Sequence, residues 1–129
     1  MYRVLRWAAG LGLPIYITEN GLPDAADRHR PRFIVTHLQQ VHRAIRSGIP
    51  VLGYYHWSLV DNFEWERGWT QRFGLWAMDP ETQQRTQRES GKVYAEICKA
   101  NGLPPALINR YATDISPLEA PHIRRGSSS

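Results

Sequence analysis

The pattern of apolar positions changes its period several times along the first hundred or so residues of this chain. Apolar residues recur every three or four positions where a helix is predicted, and they run continuously where a buried strand is predicted. The predicted elements, in chain order, are a helix over residues 2–9, a strand over 14–18, a helix over 32–47 and a strand over 51–57. A strand, a helix and a second strand in this order predict a βαβ unit with parallel strands and a right-handed crossover.

Beyond the second strand the pattern is less regular. Residues 73–78 predict a short extended segment, which a turn over 79–82 closes. A last helix is predicted over 90–100, where Asn101-Gly102 provides a stop signal. Residues 104–129 contain four prolines and end in Gly126-Ser127-Ser128-Ser129. We therefore expect an ordered segment over 1–103, followed by an irregular, partly disordered tail over 104–129.

The composition is typical of a folded, soluble protein. Hydrophobic residues make up 42% and aromatic residues 11% of its 129 positions, which is enough for a packed core. Cys98 is the single cysteine, so no internal disulfide can form, and a reducing, cytoplasmic location is expected. The first residues lack an uninterrupted apolar region, and no apolar run approaches the roughly 20 residues of a membrane helix. We expect no membrane partner.

The net charge of +4 raises the question of nucleic-acid binding. The basic residues are scattered, with local groups only at residues 28–32 and 124–125, and no nucleic-acid-binding motif accompanies them. We interpret them as a solvated, arginine-rich surface and expect no nucleic-acid partner. His37 and His42 lie five positions apart and so on different faces of the predicted helix, which argues against a shared metal ion. No metal and no cofactor are predicted.

An acidic residue follows the first predicted strand, within Thr18-Glu19-Asn20-Gly21. The Asn-Gly pair marks a sharp turn, so Glu19 is predicted at the C-terminal end of the strand. In (β/α)8 barrels the chemistry lies at that end, because the loops there form the large concavity. Glu19 is therefore a candidate catalytic carboxylate, and a glutamate in an ordinary solvent-facing turn is the alternative.

Residues 57–69, directly after the second strand, contain three tryptophans and three acidic residues. Indole rings can stack on a sugar ring while carboxylates and indole N–H groups bind its hydroxyls, so the stretch suggests sugar recognition. A hydrophobic plug over a barrel mouth is the alternative. On the residues alone, Glu19 and Glu64 could be the two carboxyl groups of a retaining glycosidase, which lie about 5–5.5 Å apart.

Several short motifs in order resemble the C-terminal part of family 1 glycoside hydrolases, the β-glucosidase type of retaining enzyme. The motifs are Tyr16-Ile17-Thr18-Glu19-Asn20-Gly21, His37-Leu38 with Val41, Gly53-Tyr54, Trp57-Ser58-Leu59, Asp61-Asn62-Phe63-Glu64-Trp65 and Arg72-Phe73-Gly74-Leu75. The resemblance covers residues 1–103. It implies an α/β fold that is the last two βα units of a (β/α)8 TIM barrel, incomplete on its own.

The resemblance also implies roles for five residues. Glu19 matches the catalytic nucleophile, which forms a covalent glycosyl-enzyme intermediate. Glu64 matches a carboxylate that binds the hydroxyls at C4 and C6 of the sugar, and Trp65 would donate its indole N–H to a neighbouring hydroxyl. Trp57 would form a hydrophobic platform under the ring, and Phe73 would line the pocket near C6. Glu64 would then not be the acid/base, which in the family lies in an Asn-Glu-Pro motif that does not occur in this sequence.

The expected function is therefore that of a retaining β-glycosidase acting on small β-glucosides, here without its acid/base half and inactive alone. The expected partners are a β-glycoside and the N-terminal barrel portion that supplies the other strands. A non-catalytic carbohydrate-binding relic, or a subunit of a split enzyme, is the alternative. Two parallel strands alone leave two unpaired edges and an apolar inner face, so we expect the isolated segment to be prone to association or poorly folded.

Overall fold

The computed structural model describes residues 1–113. The helices are α1 (Tyr2–Ala8), α2 (Arg30–Arg46), α3 (Glu89–Ala100) and α4 (Pro105–Tyr111), and the strands are β1 (Ile15–Asn20), β2 (Val51–His56), β3 (Trp76–Met78) and β4 (Arg85–Gln87). Short 3-10 turns cover Ala9–Leu11 and Trp65–Arg67. β1 and β2 pair in parallel, with Ile15 opposite Val51 and Ile17 opposite Tyr54. The parallel pairing predicted from the sequence is thus confirmed.

Helix α2 begins two residues before its predicted start, for two local reasons. Pro31 lies in the first turn, where its missing N–H group costs no hydrogen bond. The Asp24 carboxylate accepts hydrogen bonds from the backbone N–H groups of His29 and Arg30, at 2.7 and 3.1 Å. These bonds satisfy two donors that have no partner within the helix.

One face of the β1–β2 sheet packs against the helices, and the other is open. Ile15, Ile17 and Val51 pack against the cluster formed by Leu5, Val41, Ala44 and Ile49. On the open face, Tyr16 and Tyr55 lie on either side of Gly53 and are 56% and 59% exposed. The expected apolar inner face is therefore present, and within residues 1–113 no second layer covers it, although the continuous apolar character of the strands is typical of a sheet buried on both faces.

Two elements differ from the sequence-based expectation. Strand β4 is entirely exposed and pairs antiparallel with β3, and its polar sequence Arg85-Thr86-Gln87 carries no strand signal. Helix α4 lies within the segment predicted to be irregular. Its prolines open the helix instead of interrupting it, since Pro105 occupies the first helical position, and Leu107 is buried in the core shared with Ile34 and Val93. The predicted disorder of the rest of the tail concerns residues 114–129, which lie outside the described residues.

Within residues 1–113, no helix combines the length and apolar character needed to cross a lipid bilayer.

Candidate active site

Glu19 lies at the end of β1, with its side chain exposed to solvent. The next residue, Asn20, joins the ends of the two strands. Its carbonyl oxygen accepts a hydrogen bond from the Trp57 backbone N–H at 3.1 Å, and its side-chain oxygen accepts one from the Tyr54 hydroxyl at 2.9 Å. Glu19 and Trp57 therefore lie at the same, C-terminal edge of the sheet.

Gly21 is in close contact with two other candidate site residues. A Cβ atom at this position would lie 1.9 Å from the carbonyl oxygen of Trp57 and 3.3 Å from a ring carbon of Phe73. Any side chain here would have to displace backbone, so the close approach requires glycine. The turn after Glu19 is thus in contact with both the predicted platform residue and the predicted pocket wall.

Glu64, Trp65 and Phe73 line one hollow of about 460 Å³, together with Glu66, Arg67 and Gln71. Trp57 joins this group through its indole N–H, which donates to a carboxylate oxygen of Glu64 at 3.2 Å. Trp65 is 82% exposed and projects at the rim. Glu19 does not line the hollow, but the two residues that follow it contact residues of this group: Asn20 bonds to Trp57, and Gly21 lies against Trp57 and Phe73.

Asp61 holds the loop that carries these side chains. Its carboxylate, 1% exposed, accepts two hydrogen bonds from the Arg88 guanidinium, at 2.8 and 3.0 Å, and one from the Gly74 N–H at 2.8 Å. Burial raises the pKa of Asp61, but the hydrogen bonds from Arg88 and Gly74 outweigh burial and keep the pKa below its usual range. The Asp61–Arg88 pair thereby fixes the loop after β2 to the start of α3.

Arg30 is the centre of a second buried set of hydrogen bonds, near the C-terminal edge of the β1–β2 sheet. Its side chain is fully buried, pairs with Asp27 and donates to the carbonyl oxygens of Leu22, Asp24 and Arg72. The interpretation of residues 28–32 as a solvated surface is therefore wrong for Arg30, because the guanidinium satisfies backbone groups inside the fold. Arg72 is shared by both centres, since its guanidinium lies 3.7 Å from the Asp61 carboxylate.

The family model for glycosyl hydrolase family 1 matches residues 3–103. The chain belongs to glycosyl hydrolase family 1. The β-galactosidase of Sulfolobus acidocaldarius is 47% identical over 104 residues, which are 81% of this chain and 21% of that protein. The 1,4-beta-D-glucan glucohydrolase of Thermotoga neapolitana is 42% identical over an alignment 98 positions long, which covers 69% of this chain and 22% of that protein.

Solved structures of family 1 enzymes share the fold. The β-glycosidase of Thermosphaera aggregans matches with a TM-score of 0.82 and 42% identity, over 84% of this chain and 23% of that one. The β-glycosidase from Pyrococcus horikoshii matches with a TM-score of 0.83 and 44% identity, over 85% and 26%. The chain thus spans about a fifth to a quarter of the length of these relatives, and its two βα units are part of a (β/α)8 barrel.

Asp61 and Arg30 are site residues that sequence reasoning did not single out. In the sequence Asp61 lies in a tryptophan-rich stretch and opens one of the family-like motifs, but nothing there indicates its structural role, because its partner Arg88 lies 27 positions away. For Arg30 the only local signal was Asp27, three residues earlier, which is also a common surface spacing. Long-range pairs of this kind are not encoded in a local pattern.

His56, the last residue of β2, is a buried titratable group behind the site. Both ring nitrogens are buried and lack a hydrogen-bond partner of good geometry among the described residues. Burial lowers the pKa of His56 to about 4, so the ring is neutral at physiological pH. No group of three or more His, Cys, Asp or Glu side chains in residues 1–113 is arranged to hold a metal ion.

Proposed function

We propose that this family 1 chain carries the nucleophile and the sugar-binding wall of a retaining β-glycosidase. Glu19 would attack the anomeric carbon of a β-glycoside and form a covalent glycosyl-enzyme intermediate. The observation that carries the proposal is the position of Glu19 at the edge of the sheet that also bears the bonded Trp57–Glu64 pair. Relatives named β-galactosidase and β-glucosidase support the same reaction class.

The contacts of Glu64 suggest how the sugar would be held. One carboxylate oxygen accepts the Trp57 indole N–H, which orients the group and leaves the second oxygen for the hydroxyls at C4 and C6. Trp57 would then underlie the ring and Phe73 would close the hollow near C6. Trp65 would add a hydrogen bond from its indole N–H, which its high exposure leaves free to reach a ligand.

The second carboxyl group of the reaction would come from the N-terminal barrel portion. A retaining mechanism needs an acid to protonate the leaving oxygen, and the same group then activates water. The Asn-Glu-Pro motif that carries it in the family does not occur in the 129 residues. We therefore propose that this chain has no turnover until it is joined to that portion, covalently or as a partner chain.

The proposed substrates are small β-glucosides or β-galactosides with free hydroxyls at C4 and C6. The curated relatives include proteins named β-galactosidase, β-glucosidase and β-D-fucosidase, so both sugar series occur among them. A phosphate at C6 is disfavoured, because the Glu64 carboxylate would repel it. The single cysteine supports a cytoplasmic location as part of the proposal.

The test joins the full chain to the part of the Sulfolobus acidocaldarius β-galactosidase that precedes the matched region, and measures hydrolysis of an aryl β-glucoside. We expect turnover by the fusion, no turnover by the chain alone, and no turnover by a Glu19→Gln fusion. A Glu96→Gln fusion is the matched control and should keep full activity, since Glu96 is an exposed glutamate of α3 that does not line the hollow. Full activity of the Glu19→Gln fusion would refute the role of Glu19.

A non-catalytic carbohydrate-binding role is the second candidate. It is favoured by one observation: the Trp57–Glu64 pair and the hollow are complete within this chain. Titration of the chain alone with glucose and galactose separates the two candidates. Saturable binding that Glu64→Gln removes, together with an inactive fusion, would support the binding role over the enzymatic one.

A further inference from the structure

The buried guanidinium of Arg30 binds three carbonyl groups and thereby joins two backbone segments, the loop at residues 22–24 and the segment at Arg72. Its Nη2 atom lies 2.5 Å from the Asp24 carbonyl oxygen and 2.6 Å from that of Arg72, and its Nε atom lies 3.3 Å from that of Leu22. The Asp24 N–H donates to the same Arg72 oxygen at 3.0 Å. We call this set of bonds the Arg30 clamp.

The clamp lies between the nucleophile and the pocket wall. Leu22 is three residues after Glu19, and Arg72 directly precedes Phe73. Between them, Gly21 is in contact with the carbonyl of Trp57 and the ring of Phe73. The path of the chain from Glu19 to Asp24 is therefore fixed against the residues that would hold the sugar.

Burying an arginine side chain costs free energy unless its N–H donors are hydrogen-bonded and its charge is paired. Arg30 is 0% exposed, and Asp27 supplies the opposite charge. The Asp27 carboxylate also accepts the Ser90 N–H at 2.8 Å, which ties the clamp to α3. The planar guanidinium can reach three carbonyls at once, whereas a lysine ammonium could keep the charge pair but not this geometry.

We propose that Arg30 is a positioning residue that sets the place of the Glu19 carboxylate relative to the bound sugar. This inference rests on the proposed function. The sugar-binding side has its own supports, namely the Trp57–Glu64 bond and the Asp61–Arg88 pair. Loosening the clamp should therefore slow attack by Glu19 and leave sugar binding almost unchanged.

The experiment uses the full chain in the fusion described above and measures covalent labelling by 2,4-dinitrophenyl 2-deoxy-2-fluoro-β-glucoside. A Glu19 oxygen forms the bond to C1 while the C1–O bond to dinitrophenolate breaks, and dinitrophenolate leaves with the electron pair. Because this leaving group needs no proton, the labelling rate depends on attack by Glu19 and not on the acid/base residue of the N-terminal portion. Labelling rates measured at increasing reagent concentration, up to saturation, give the maximal rate and the half-saturating concentration separately. Peptide mass spectrometry identifies the labelled residue.

The variants are Arg30→Lys and the matched control Arg28→Lys, an exposed arginine two residues away. Because displacement of a reacting group by about 1 Å can cost 10²-fold in rate, we expect Arg30→Lys to lower the maximal labelling rate at least about tenfold. The half-saturating concentration should change less than about twofold, and Arg28→Lys should match the parent. Thermal melting of each variant sets an assay temperature at which it is folded.

Asp24→Ala is a milder second variant, because it leaves the guanidinium in place and removes the acceptor at the start of α2. It should give a smaller fall in the maximal rate and keep the proposal testable if Arg30→Lys does not fold. Labelling of folded Arg30→Lys or Asp24→Ala at the parent rate would overturn the positioning role alone. A parent fusion that is not labelled at Glu19 would overturn the proposed function and this inference together.

Discussion

Replacing Asp61 by asparagine should destabilise the chain more than any other single charge change in the loop after β2. The substitution keeps the shape of the side chain and removes the charge that Arg88 pairs with at 2.8 Å. The Arg88 side chain is only 10% exposed, so its guanidinium would remain buried without a full counter-charge. Breaking one partner of a buried pair costs about 3–5 kcal/mol.

That cost is large compared with the stability of a domain of this size. Domains have about 0.05–0.15 kcal/mol of unfolding free energy per residue, so an unfolding free energy on the order of 10 kcal/mol is expected here. With a urea dependence of about 1.5 kcal/mol per M, the Asp61→Asn midpoint should fall by about 2 M or more. The measurement is urea unfolding of the full chain at pH 7 and low micromolar concentration, followed by tryptophan fluorescence.

Two variants make the result specific to the pair. Glu66→Gln removes a charge of the same sign in the same loop, at a side chain that is 84% exposed, and should leave the midpoint unchanged. Asp61→Asn combined with Arg88→Met removes both buried charges and should be less destabilised than the sum of the two single variants. An Asp61→Asn midpoint equal to that of Glu66→Gln would show that the pair does not hold the loop.

Two further predictions follow from buried positions near the site. Burial lowers the pKa of His56 to about 4; the ring lies next to Tyr94 of α3 and interacts electrostatically with Arg30 and Asp27. Below pH 6.5 the unfolded chain therefore binds more protons than the folded chain. The contribution of His56 to stability should therefore be complete above pH 6.5 and be lost as the pH falls from 6.5 to about 4. His56→Phe should flatten this part of a plot of urea midpoint against pH, and an unchanged slope would contradict the prediction. Gly21→Ala should lower the melting temperature markedly, because its Cβ would overlap the Trp57 carbonyl, whereas Gly10→Ala, with nothing within 4 Å, should not; equal melting temperatures would contradict the close contact.

The sequence alone predicts the parallel strand pair and the helices around it, because apolar periodicity is a local signal. Strands β1 and β2 and helix α2 follow directly from runs such as Val51 to His56 and from apolar residues at helical spacing. Strand β4 was missed because its three residues are polar and exposed. Helix α4 is not predicted, because its segment is rich in proline, which is typical of irregular segments, although proline is also well suited to a first helical turn.

The residues of the candidate site also fall into those that the sequence indicates and those that it does not. Glu19, Trp57 and Glu64 are recognisable because each lies in a dense motif next to a predicted strand. The residues that hold them in place are not recognisable from the sequence, because their partners are distant along the chain. Arg30 bonds to Arg72, 42 positions away, and Asp61 bonds to Arg88, 27 positions away. A buried arginine and a surface arginine look alike in a sequence, and only the three-dimensional contacts distinguish them.

The Arg30 clamp binds main-chain carbonyl oxygens, which every residue type offers equally. The side chains at positions 22, 24 and 72 could therefore change without removing these acceptors, so a survey of correlated substitutions would not reveal which positions Arg30 connects. For protein engineering the same property is useful. The residues proposed to contact the sugar, such as Phe73, could be varied to alter substrate preference while the backbone beside them stays anchored, provided that Arg30 and its counter-charge Asp27 are left in place.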